Sequence, residues 1–117
     1  MRVPGRGKVA RMAKYLFQAS LTAEGLRGVL KEGGSARREV VRKAVEGLGG
    51  SLEAFYFGFG DTDVYVLADL PDNSTAAAFS TQISSSGTVS VSTTVLIMPE
   101  EMDAASKQRV DWRAPGA

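Results

Sequence analysis

Ser51–Leu70 reads SLEAFYFGFGDTDVYVLADL. Two runs rich in aromatic and β-branched residues flank Gly60-Asp61-Thr62, the composition of two strands joined by a tight turn. In the first run, Ser51 to Phe59, alternation places Phe55, Phe57 and Phe59 on one face with Glu53 at the rim. Leu52, Ala54, Tyr56 and Gly58 fall on the other face. In the second run, Asp63 to Leu70, Val64, Val66 and Ala68 alternate with Asp63, Tyr65, Leu67 and Asp69.

Upstream, Lys14 to Ser20 (KYLFQAS) is an apolar run with an aromatic pair and reads as a strand. Its faces are Tyr15/Phe17/Ala19 and Leu16/Gln18/Ser20. Thr22 is placed to cap a short helix carrying Leu26, Val29 and Leu30, which Gly25 and Gly28 weaken. Lys31-Glu32-Gly33-Gly34 breaks it. Ser35 is then expected to cap a second helix, Ala36 to Leu48, with the apolar stripe Val40, Val41, Ala44, Val45 and Leu48. Gly49-Gly50 ends that helix.

Downstream, Pro71-Asp72-Asn73-Ser74 is a turn and cap cluster before a helix from about Thr75 to Ile83, with Ala76, Phe79 and Ile83 at helical spacing. A last strand, Thr88 to Met98, alternates Val89, Val91, Val95 and Ile97 with Ser90, Ser92, Thr94 and Leu96. Pro99 starts a short helix through Ala105, with Glu100 and Glu101 suited to its N-terminus. Strand, helix, strand, strand, helix, strand predicts an α+β fold of the ferredoxin-like split βαβ type, with a four-stranded antiparallel sheet. Right-handed crossovers put the helices on one face.

The other face is then left uncovered, and is expected to carry Tyr56, Tyr65, Leu67, Leu96, Gln18, Ser92 and Thr94. That mixture is too apolar for a monomer's surface. Face-to-face stacking of two sheets in a symmetric homodimer would bury it and leave a lined cavity at the sheet face.

The 117 residues, 44% hydrophobic and 23% charged, make one globular domain. The chain has no Cys and no His, so disulfides, thiolate nucleophiles, imidazole bases and the commonest metal ligands are excluded. No metal site and no cofactor are expected. The absence of a long apolar run or an apolar leader makes a cytoplasmic protein without membrane association the expectation. Arg2, Arg6, Lys8 and Arg11 lie in residues 1–11, which contain no acid; removing these four from the 14 Lys and Arg leaves ten against 13 Asp and Glu, a net −3 for residues 12–117. Residues 1–11 read as a disordered basic arm or an extension ahead of a start at Met12, with nucleic-acid binding the less favoured use. The folded domain is expected over 12–106, followed by a tail over 107–117.

The run SARREVVRKAVEGLGGSLEAFYFGFGDTDVYVLADLPD, with KYLFQASLTAEGL before it and VLIMPEEM after it, resembles the GYD domain family over about residues 12–106. The resemblance implies the dimeric α+β barrel version of the ferredoxin-like fold, in a family whose biochemical role is largely uncharacterised. The family pattern of an Arg before Gly-Gly, an aromatic in the second strand, and an acidic residue, Tyr and Asp after Gly at the turn falls here on Arg37, Gly49-Gly50, Tyr56 and Gly60-Asp61-Thr62-Asp63. Thr62 therefore stands where the family's tyrosine does, so a function needing a phenol there is not implied.

Arg37 and Asp63 form the most informative pair. A guanidinium at the mouth of an apolar stripe needs an acceptor, and Asp63 is one. The pair reads either as an ion pair pinning helix to hairpin or as an anion clamp for a small acidic ligand. Tyr56 and Tyr65 are core aromatics or ligand contacts; Gln18 and Thr94 are able to hydrogen-bond a ligand or ordered water. No catalytic residue is singled out. The favoured function is a homodimeric small-molecule-binding or interaction module, and the alternative is a cofactor-independent oxygenase or isomerase, which rests on fold analogy.

Overall fold

The computed structural model describes residues 12–117; the basic stretch 1–11 lies outside the described residues. The chain runs β1 (Ala13–Leu21), α1 (Ala23–Glu32), α2 (Gly34–Gly47), β2 (Ser51–Phe57), β3 (Val64–Leu70), α3 (Asn73–Ser84), β4 (Val89–Leu96) and α4 (Pro99–Ser106). The strands form one antiparallel sheet in the order β2-β3-β1-β4. This is the α+β layout expected from the element order. Among the described residues, no helix is long and apolar enough to cross a membrane.

Alternation along four registered strands builds two surfaces. On one, Phe55, Val66, Phe17 and Thr93 lie side by side across the sheet, next to Phe57, Val64, Ala19 and Val91. Helices α2 and α3 pack on this surface through Val45, Ala76 and Phe79. The Phe79 ring meets Phe17 edge-on at 4.8 Å between centroids, a favoured aromatic geometry. Tyr15, Phe17, Val45 and Leu70 are the largest side chains wholly removed from water. The Tyr15 hydroxyl donates to Asn73 Oδ1 at 2.7 Å, so its burial leaves no unpaired polar atom.

Several local expectations are corrected. Leu52 does not share a face with Ala54 and Tyr56. The β2–β3 register shifts between Leu52 and Ala54, so Leu52 pairs with Ala68 on the helical side and Glu53 is the extra residue. Phe59 does not continue the Phe55/Phe57 face: β2 stops at Phe57, and Phe59 is fully exposed. Ser35 is not the cap of α2. Gly33, at φ 95°, alone joins the two helices: its N–H donates to Val29 O and its carbonyl accepts from Arg37 N–H. A glycine tolerates this left-handed geometry, so the turn needs no separate capping residue. Thr22 does cap α1, accepting from Gly25 N–H at 3.1 Å, and Asp72 caps α3, accepting from Thr75 N–H at 2.8 Å.

Candidate functional site

The outer face of the sheet carries four of the six residues singled out from the sequence. Tyr56, Tyr65, Gln18 and Ser92 lie in register across all four strands. Thr94 stands in the next row, beside Leu16 and Leu67. Among the described residues no helix covers this surface, and Tyr56 and Tyr65 are 68% and 39% exposed. The row presents two phenols and an amide, all able both to donate and to accept hydrogen bonds. The Thr62 hydroxyl lies 3.5 Å from Gln18 Oε1, a long contact that ties the hairpin loosely to the row.

At the far end of this face, Lys14 reaches both Glu53 and Asp69; its Nζ lies 2.9 Å from Asp69 Oδ1. Hydrogen bonding to Glu53, and then to Asp69, holds the ammonium in its protonated form above the ordinary lysine range. The bulge at Glu53 makes this triad possible by giving that residue a side chain free of the strand's alternation. The sequence offered no sign of it, since the three residues are brought together only by register across three strands.

Arg37 and Asp63 do not pair. Asp63 closes the hairpin onto β1: its Oδ2 accepts from Leu21 N–H at 2.8 Å, and its own N–H donates to Ala19 O at 2.9 Å. Its carbonyl also accepts from Gly58 N–H at 2.8 Å. With both main-chain groups and one carboxylate oxygen engaged, Asp63 is a structural latch. Arg37 stands on the helical side and meets Glu32 of α1 at 3.1 Å. The short α1–α2 turn explains the choice, because it folds Glu32 back beside the first turn of α2.

A cavity of about 90 Å³ lies between sheet and helices, lined by Phe17, Val41, Phe55, Val66, Phe79 and other apolar side chains, with Arg37 the only charged group on its wall among the described residues. It adjoins a groove of about 310 Å³ bounded by α1, Glu32, Arg37, Ser86 and Thr88. The cavity expected at the outer sheet face is therefore not the one this chain itself encloses. The reason is α1, which supplies no buried residue and leaves the space between β4 and α2 underfilled. Its glycines, noted in the sequence as weakening the helix, are the signal that was present: Gly25 and Gly28 both border the groove.

A model of the GYD domain matches residues 15–106. The chain belongs to the GYD domain family. No curated protein and no solved structure gives a match. The match runs from within β1 to the end of α4, so it takes in the other three strands and all four helices. In this GYD domain the turn Gly60-Asp61-Thr62-Asp63 is joined to β1 through Asp63 and through Ser20, whose hydroxyl donates to Asp61 O at 3.1 Å. Among the described residues, no group of three or more acidic side chains is placed to hold a metal ion.

Proposed function

We propose that this GYD domain is a small ligand-binding module that works as a homodimer, and that its ligand is an apolar molecule with an anionic end. The observation that carries the reading is the apolar cavity whose wall, among the described residues, carries a single cation. An apolar body is favoured inside, and a carboxylate is favoured at Arg37. Glu32 is a weak competitor, because an ion pair this exposed contributes at most about 1 kcal/mol. The homodimer is supported by the outer face, where Leu16, Leu67, Tyr56 and Tyr65 have no covering layer among the described residues.

Thermal unfolding in the presence of carboxylates of increasing chain length, each matched with its alcohol, tests the ligand. The expected result is a saturable shift that favours the acids, with Arg37→Gln weakening carboxylate binding about ten-fold and leaving the alcohols unchanged. Equal binding of acid and alcohol, or no saturable shift in either series, sinks the reading. Product appearing from a bound compound would instead favour the catalytic alternative.

A further inference from the structure

Beyond the domain core the chain continues into a segment that touches little of its own fold. Every residue from Ile97 to Ala117 is exposed. Five of them are large and apolar: Ile97, Met98, Met102, Val110 and Trp112 are 47–76% exposed. The segment is nonetheless built with order. Pro99 opens α4, and Glu101 Oε1 accepts from Met98 N–H at 2.9 Å, closing the first turn. Met98 and Met102 are one turn apart on one side of that helix, away from Glu100 and Asp103. After the helix, Val110 and Trp112 alternate as they would on one face of an extended strand.

An isolated helix of eight residues is marginal in water, and helices in proteins draw most of their stability from packing an apolar face. The apolar side of α4 needs a surface, and the described residues of its own chain supply none. The complementary surface is at the opposite corner of the sheet. β4 hands the arm off beside the start of β1, where Leu96 pairs with Lys14. The exposed Tyr56 lies on the far edge strand near its other end, and the exposed Phe59 follows just beyond that strand. The two unpartnered surfaces of one chain therefore lie at opposite corners of its sheet, and a two-fold dimer can offer each to the other copy.

We propose that the C-terminal arm, through Met98, Met102, Val110 and Trp112, docks on a second copy of this chain at the corner bearing Tyr56 and Phe59. The inference rests on the homodimer reading above and adds to it a named segment and its acceptor. Met and Trp suit this role, since a flexible thioether fills irregular gaps and a large ring buries much area.

Trp112 is the only tryptophan, so its fluorescence reports on the arm alone. The experiment follows the emission maximum and acrylamide quenching of the full chain across a dilution series, with sedimentation of the same samples. Docking on a second copy predicts a blue-shifted, protected Trp112 in the dimer that becomes water-exposed as the dimer dissociates. Met102→Glu is expected to weaken self-association about ten-fold, with Phe59→Ser acting in the same direction from the acceptor side. Both positions are exposed in the single chain, so unfolding of the domain should be unchanged and serves as the control. A dimer in which Trp112 stays wet overturns the arm and leaves the homodimer standing. A strictly monomeric chain overturns the homodimer and the arm with it. A protected Trp112 that ignores dilution means the arm folds onto its own chain, and also overturns the proposal.

Discussion

The helical and outer faces of the sheet come from the same four strands, one residue out of phase, yet they have different physics. On the helical face, Tyr15, Phe17, Ala68 and Leu70 are buried under α2 and α3. On the outer face, the neighbouring residues Leu16, Gln18, Leu67 and Tyr65 meet no covering element among the described residues. Stability is concentrated in the first set, while the second is free to be spent on association. A substitution one position along a strand should therefore change which property is lost.

The largest effect is expected from Phe17→Ala. Phe17 is buried, stacks near Tyr15 and meets Phe79 edge-on. Truncation should cost about 3–5 kcal/mol in denaturant unfolding. A loss under about 1 kcal/mol would mean that the core is not where the burial places it.

Lys14→Met should cost less, about 1 kcal/mol, since the triad is partly exposed. It also carries a pH signature. The Lys14 value is raised from 10.5, so its contribution is fully present below that pH and is lost as pH rises through the raised value. Tyr15, raised from 10.0 by burial and then by the nearby Asp72 charge, acts in the same direction over the same alkaline range. Unfolding measured from neutral to alkaline pH should show a shallower decline in the Lys14→Met variant, with the remaining slope belonging to Tyr15. Identical slopes in both proteins would remove the triad from the account.

The smallest effect on folding is expected from Tyr56→Ser, within about 0.5 kcal/mol, because the side chain is exposed on an edge strand. The same change should weaken self-association. An outer-face variant that unfolds the domain while Phe17→Ala leaves it intact would reverse the contrast between the two faces.

Much of this contrast was legible in the residues. Tyr15, Phe17 and Ala19 were grouped on one face of β1 by alternation, and they are buried together. Ser90, Ser92 and Thr94 were set against Val89 and Val91, as observed. The helices of the hairpin's two flanks were placed within a residue or two of their ends. What escaped was of another kind. The bulge at Glu53 moved Leu52 across the sheet, and nothing in the run SLEAFYF marks that shift. The sequence pattern matches Arg37 with Asp63, yet the single-residue joint at Gly33 gives it Glu32 instead. Leu26, Val29 and Leu30 stand at helical spacing, but α1 supplies no buried residue and a cavity opens beside it.

Periodicity, caps and turn residues act over a few positions, so the order of elements and the apolar side of most of them follow from the chain read in one dimension. Register, ion partners and enclosed space depend on which distant strands and helices end up adjacent. Lys14 meets Glu53 and Asp69 across three strands, and Asp63 finds Leu21 rather than Arg37, because hydrogen bonds between backbone segments, set only on folding, determine what each side chain can reach.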